Sequence, residues 1–149
     1  MIKVDQRVSK IHILFLCVAN SARSQIAEGL AKKILGEIFW VESAGSQPSG
    51  LVQPMAIEVL REINIDISSH YSKSIANLKP DFLEHLRFVI TLCEEETCPI
   101  INSSAKILHW PLPDPAPVQR NDEVQLNLES YRIVRDKIEN KLKEFKSQF

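Results

Sequence analysis

The feature that most constrains this chain is a loop too short to do more than turn. An apolar run from Ile11 to Leu16 ends at Cys17, and a helical pattern begins near Ser24. The stretch Cys17-Val18-Ala19-Asn20-Ser21-Ala22-Arg23-Ser24 must therefore carry the backbone straight from a strand into a helix. Five residues separate Cys17 from Arg23. That is enough to curl the backbone into a cup whose amide N–H groups point inward and whose floor is the positive end of the next helix. An oxyanion fits such a cup, above a sulfur and clamped by a guanidinium fork. The loop has no glycine, so Asn20 is expected to adopt the left-handed conformation and to brace the loop with its amide.

The rest of the chain alternates in the same way. Ile26, Leu30 and Ile34, with Ala27 and Ala31, recur at helical spacing up to Gly36, a plausible C-terminal cap. Ile38 to Val41 reads as a second strand running into Glu42-Ser43-Ala44-Gly45, followed by a turn-rich loop from Ser46 to Val52. Pro54 suits the first turn of a helix carrying Ala56, Val59, Leu60 and Ile63 on one stripe. Residues 68–79 are polar and loop-like, with a short helix from Pro80. Arg87 to Leu92 is a third strand running into Cys93, and Ile107 and Leu108 lie in a fourth, before a Pro-rich loop from Trp110 to Val118. Leu128, Tyr131, Val134, Ile138, Leu142 and Phe145 mark a long final helix that should pack on the sheet. Strands alternating with helices predict an α/β fold, a small parallel sheet with helices on both faces, over residues 11–149, after an N-terminal extension of residues 1–10. The carboxyl ends of the strands then share one edge, where ligands of such sheets bind. Cys17, Ser43, Cys93 and the Pro-rich loop all follow strands and should converge there.

Composition removes several alternatives. A net charge of −1 offers no surface for nucleic acid or an anionic membrane. The longest apolar run, Ile11 to Ala19, is broken by His12 and is too short to span a bilayer. Residues 1–10 lack the pattern of a signal peptide, so a cytoplasmic protein is expected. Three cysteines are an odd number for a disulfide scaffold and point to reactive or buried thiols.

The chemistry of the cup follows from its residue types. A helix N-terminus and a neighbouring arginine favour the thiolate form of a cysteine, so Cys17 is expected to be a nucleophile. Ser24 can hydrogen-bond the sulfur. Arg23 suits the site because its planar fork grips two oxygens of a tetrahedral anion. Asp114 stands between Pro113 and Pro115, a placement that could hold a carboxyl group over the cup to protonate a leaving oxygen or could simply form a turn. Cys93 and Cys98 could act as further thiols, or as inert ones. A zinc site from this pair and a histidine is the weaker reading, because there is no second close pair and His12, His70, His85 and His109 are scattered.

Cys17 to Ala31, CVANSARSQIAEGLA, resembles the active-site segment of the low-molecular-weight protein tyrosine phosphatase superfamily, in particular its thioredoxin-coupled arsenate reductase branch. Glu42-Ser43-Ala44-Gly45, Thr91-Leu92-Cys93 with Cys98-Pro99, and His109-Trp110-Pro111-Leu112-Pro113-Asp114-Pro115-Ala116 fit that branch as well. The resemblance implies a four-stranded parallel sheet and an arsenate- or phosphate-like anion bound by Val18, Ala19, Asn20, Ser21, Ala22, Arg23 and Ser24. It also implies that Cys17 attacks arsenate with Asp114 as general acid. Cys93 then attacks Cys17, Cys98 attacks Cys93, and thioredoxin reduces the last disulfide. No organic cofactor is implied, and a monomer is expected.

Three departures from the family pattern matter. Four residues separate Cys93 from Cys98, fewer than usual. A regular helix there would hold the two Cα atoms at least about 7.5 Å apart, beyond the roughly 4.4–6.8 Å of a disulfide, so the segment should be a loop or unwind on oxidation. Ala116-Pro117 replaces the aromatic pair that follows Asp-Pro in tyrosine phosphatases. Finally, some members hold a potassium ion behind the cup, on positions that map to Asn20, Glu28 and Ser43 and to an acidic residue after His-X-Ser. Here that last position, after His70-Tyr71-Ser72, is Lys73, whose ammonium could replace the ion and pair with Glu28. No resident metal is therefore expected. A phosphomonoester phosphatase on the same fold, and a non-catalytic oxyanion-binding module, are the competing readings.

Overall fold

The computed structural model describes residues 10–94, 101, 103–115 and 124–149, with the backbone alone for 124–127. The N-terminal extension, apart from Lys10, lies outside the described residues. Four strands run in the order β1 (Ile11–Cys17), β2 (Phe39–Gly45), β3 (Leu86–Thr91) and β4 (Lys106–His109). They form one parallel sheet with spatial order β2-β1-β3-β4. Among the described residues the helices are α1 (Arg23–Leu35), α2 (Pro54–Arg61), α3 (Pro80–Glu84) and α4 (Val124–Lys146), with a 3-10 turn at Ile75–Asn77. The strand read from Ile38 begins one residue later, and Ile38 itself is exposed.

β1 is central because its side chains are apolar on both faces. Ile13 and Phe15 enter the larger core with Val41, Ile90 and the inner faces of α1, α2 and α4. Leu14 and Leu16 enter a smaller core with Ala44, Leu78, Phe82, Leu86 and Val89. All four β1 side chains are fully buried, which favours the fold by roughly 6–12 kcal/mol over leaving them in water, an upper bound. The three-layer arrangement is lopsided. The long helices cover one face of the sheet, and the other is covered by α3 and the 3-10 turn. Gly36 ends α1 with φ of 80°, a left-handed value suited to glycine.

From β1 the chain moves to β2 on one side, then crosses to β3 on the other. The crevice at that reversal lies at the carboxyl end of β1, where the cup begins. No helix among the described residues is long and apolar enough to cross a membrane.

Candidate active site

The cup takes its shape from where its carbonyl groups are tied. The Val18 carbonyl accepts from the Gln47 N–H at 2.9 Å and the Ala19 carbonyl from the Ser49 N–H at 3.0 Å. Ser72 Oγ donates to the same Ala19 oxygen at 3.0 Å. The Asn20 carbonyl accepts from Gln25 Nε2 at 3.2 Å, and the Ser21 carbonyl from the Gln53 N–H at 2.9 Å. In a trans peptide the N–H points opposite to the C=O of the same unit. The outward-tied carbonyls therefore aim the N–H groups of Ala19, Asn20, Ser21 and Ala22 to the other side. The Asn20 N–H meets Cys17 Sγ at 3.2 Å. No side-chain cap bond is made at Ala22, and the positive end of α1 lies at the cup.

Asn20 sits at φ of 49°, the left-handed conformation expected of it. Its amide nitrogen donates to Ser24 Oγ at 2.7 Å and to Ser43 Oγ at 3.0 Å. Its amide oxygen accepts from the Lys73 N–H at 2.9 Å and from Gln25 Nε2 at 2.9 Å. Ser24 Oγ lies 2.9 Å from Cys17 Sγ. Since Ser24 accepts from Asn20, its own proton is available for the sulfur, which then receives two donors. Cys17, Asn20 and Ser24 are buried, as is Arg23.

Arg23 is the first residue of α1 rather than the last of the loop. Its Nη1 donates to the Leu112 carbonyl at 3.0 Å and approaches the Leu92 carbonyl at 3.5 Å. It thereby ties the cup to the segments after β3 and β4. Trp110 N donates to the Thr91 carbonyl at 2.8 Å and Leu112 N to the Leu92 carbonyl at 3.2 Å, so the Pro-rich segment runs beside the end of β3. Asp114, two residues on, is exposed to solvent. Its negative charge, with burial as the larger cause, pushes the Tyr131 phenol on α4 up to about 12.

Cys93 is buried at the end of β3. Leu16 pairs with Thr91 and the Leu92 N–H bonds the Leu16 carbonyl at 3.0 Å, so Cys93 lies one residue past the position opposite Cys17. Cys98, and Ala116-Pro117 after Asp114-Pro115, lie outside the described residues.

Behind Asn20 is a charge cluster whose centre, Glu28 and Lys73, is buried. Ser43 Oγ donates to Glu28 Oε1 at 2.6 Å. Lys73 Nζ lies 3.3 Å from that same oxygen, with both side chains buried. Lys32 Nζ is 2.6 Å and His70 Nε2 3.6 Å from Glu28 Oε2. Burial pushes the Glu28 carboxyl up, but the charges of Lys73, His70 and Lys32 together outweigh it and hold the group below its ordinary value. The Lys73 ammonium also lies 5.1 Å from the Tyr71 ring centroid, a cation–π distance. These residues do not fit a potassium ion, because a fixed cation already stands against Glu28.

Two participants were not singled out in the sequence. Gln25, fully buried, holds Asn20 at two points and the Tyr71 carbonyl at 3.0 Å. His70 Nδ1 lies 3.1 Å from Gln25 Oε1. A polar residue in a helix turn that is otherwise destined for the core was the available signal for Gln25. A cleft of about 730 Å³ lies elsewhere, floored by Leu30, Ile34, Ile63 and Ile65. Its Lys33, Lys143 and Lys146 sit in the last turns of α1 and α4, where cations offset the negative helix ends.

Residues 12–149 match the sequence pattern of the low molecular weight phosphotyrosine protein phosphatase family. The chain belongs to that family. Within it, an arsenate reductase of Oceanobacillus iheyensis is 43% identical, covering 93% of this chain and 96% of that protein. Arsenate reductase 1 of Staphylococcus saprophyticus is 42% identical over 85% of this chain and 99% of its own. Among solved structures, an arsenate reductase in a phosphate-binding state superposes with a TM-score of 0.72 at 29% identity, covering 93% of this chain and 98% of that one. A thioredoxin-dependent arsenate reductase of Corynebacterium glutamicum gives 0.61 at 29% identity, over 91% of this chain and 63% of that one. For a low molecular weight phosphatase-family member, the fold built on the four-stranded parallel sheet is thus the shared frame.

Proposed function

We propose that this protein is an arsenate reductase, transferring electrons to arsenate through Cys17, Cys93 and Cys98, with thioredoxin as reductant in the cytoplasm. The observation that carries the reading is the second buried thiol, Cys93, at the end of the strand beside Cys17. A phosphatase needs one nucleophilic sulfur, because water completes its reaction. A reductase must find two electrons, and thiols on adjacent strand ends can supply them. Identity above 40% to proteins named arsenate reductases supports the same choice.

In the proposed sequence, arsenate lies in the cup with its oxygens on the inward N–H groups and Arg23. The Cys17 thiolate attacks arsenic, an S–As bond forms, and Asp114 gives its proton to the departing oxygen, which leaves as water. The Cys93 thiolate then attacks Cys17 Sγ. The S–As bond breaks with its electron pair going to arsenic, which leaves as arsenite, reduced from As(V) to As(III), and a Cys17–Cys93 disulfide remains. Cys98 attacks Cys93, releasing the Cys17 thiolate and leaving a Cys93–Cys98 disulfide. A thioredoxin dithiol reduces that bond and is itself oxidised.

The test is arsenate-dependent NADPH oxidation with thioredoxin and thioredoxin reductase. Turnover is expected in the parent and its loss in Cys17→Ser, Cys93→Ser and Cys98→Ser. Full turnover in Cys98→Ser would break the relay, and a glutaredoxin would then be the donor to try. The phosphatase reading keeps one point in its favour, since the same cup suits a phosphoryl group. A low hydrolysis rate of p-nitrophenyl phosphate, lost in Cys17→Ser and kept in Cys93→Ser, is expected alongside reduction.

A further inference from the structure

The end of β2 meets the cup at a place where there is no room for a side chain. Gly45 is the last residue of β2 and the register partner of Cys17. A Cβ added there would stand 2.3 Å from the Val18 carbonyl oxygen and 3.0 Å from the Asn20 nitrogen. Both are backbone atoms, so neither can swing aside. The Gly45 N–H is meanwhile fixed to the Lys73 carbonyl at 2.9 Å, and Gly45 bridges to Ser74. The crowded nitrogen is the one whose hydrogen lies on Cys17 Sγ. Gly45 is not left-handed among the described glycines, so its requirement is for space rather than for backbone freedom.

We propose that Gly45 is a positioning residue for the oxyanion cup. By carrying no side chain it lets β2 close against Val18 to Asn20 and holds the Asn20 N–H on the Cys17 sulfur. The bonds from Gln47, Ser49, Gln53 and Ser72 to the cup carbonyls act with it as an outer belt. A methyl group at Gly45 would push the Val18–Ala19 peptide inward and turn the Asn20 N–H away from the sulfur. The role does not depend on what the anion is, but it rests on the reading of the cup as an oxyanion site.

The experiment compares the full-length reduced parent with Gly45→Ala, Ser72→Ala and Gly29→Ala. Inorganic phosphate binding is followed by calorimetry, and alkylation of Cys17 by iodoacetamide by mass spectrometry of its peptide. Gly29 is the control for methylating a buried glycine. A Cβ there would crowd Ile67 Cγ2 and Leu60 Cδ1, at 2.7 and 2.8 Å, with Ile65 Cγ2 at 3.6 Å, all side-chain atoms of the core rather than backbone of the cup. Gly45→Ala is expected to weaken phosphate binding by about tenfold or more, the scale of a hydrogen bond to a charged group. Its Cys17 should be alkylated more slowly near neutral pH, because the sulfur loses one of its two donors. Ser72→Ala should show the same direction at about twofold to tenfold, and Gly29→Ala no change in either readout. Folded Gly45→Ala with parental binding and alkylation would overturn the inference. Should Gly45→Ala fail to fold, parental values in Ser72→Ala would overturn it instead. A parent that binds phosphate without reducing arsenate would sink only the reductase reading. A parent that binds no phosphate would sink the oxyanion reading, and the alkylation comparison would still decide whether Gly45 positions Asn20 against the sulfur.

Discussion

Replacing Lys73 with methionine removes one charge from a site that water hardly reaches, while keeping most of the side chain's length. Glu28 and Lys73 are both buried, 3.3 Å apart. Breaking a buried pair by deleting one partner costs about 3–5 kcal/mol, because the other charge stays behind. Here the lower end applies, since Lys32 and the Ser43 hydroxyl still hold the carboxylate. About 3 kcal/mol corresponds to a fall in Tm of roughly 6–12 °C for a domain of this size. The pH dependence separates charge from packing. In the parent, Glu28 titrates below its ordinary value of 4.5, so its stabilisation is present above that pH and lost as pH falls through the lowered value. In Lys73→Met, burial is offset only by His70 and Lys32, so the Glu28 value rises. The variant's deficit should therefore be greatest near neutral pH and shrink as pH falls below the ordinary 4.5 and Glu28 takes up a proton. Thermal unfolding of parent and variant across that range is the assay. An equal deficit at both ends would refute the electrostatic account and leave only lost packing. The same geometry predicts that arsenate reduction is unchanged when potassium replaces sodium at equal ionic strength, and that Lys73→Asp makes it rise with potassium. A strong potassium activation of the parent would contradict the fixed-cation reading.

Two further outcomes follow from the structure. Asn20→Gly keeps the left-handed backbone but loses the bonds to Ser24 and Ser43, whereas Asn20→Ala also strains the backbone by about 1 kcal/mol. Phosphate affinity should therefore fall in both and stability more in Asn20→Ala, which calorimetry and denaturant unfolding will separate. Tyr131, raised to about 12 against an ordinary 10, favours the folded state below pH 10 and loses that contribution as pH climbs through about 12. Tyr131→Phe should flatten the alkaline decline in urea-midpoint measurements, and an unchanged decline would show that another group is responsible.

Much of the site is readable from local chemistry. A continuous apolar run that ends in Cys17 and passes within eight residues into a helix leaves few backbone paths, and a glycine-free loop points to Asn20 for the left-handed turn. The stripe from Leu128 to Phe145 announces α4 by period alone. Lys73 opposite Glu28 is legible only with the family pattern beside the sequence, since the two lie 45 positions apart.

What the sequence by itself determined is the set of elements and the residue types that line the cup, because helical period, apolar runs and a Cys-to-Arg spacing act over a turn or two of chain. The tertiary structure decided the rest. Strand order β2-β1-β3-β4 sets the end of β3, with Cys93 just beyond it, next to the end of β1 at Cys17. Residues 47–53 and 72, distant in sequence, turn the cup's carbonyls outward. Gly45 leaves the space in which Asn20 can face the sulfur. These are contacts between backbone segments, and backbone N–H and C=O groups are the same in every residue but proline, so no residue type announces them in advance.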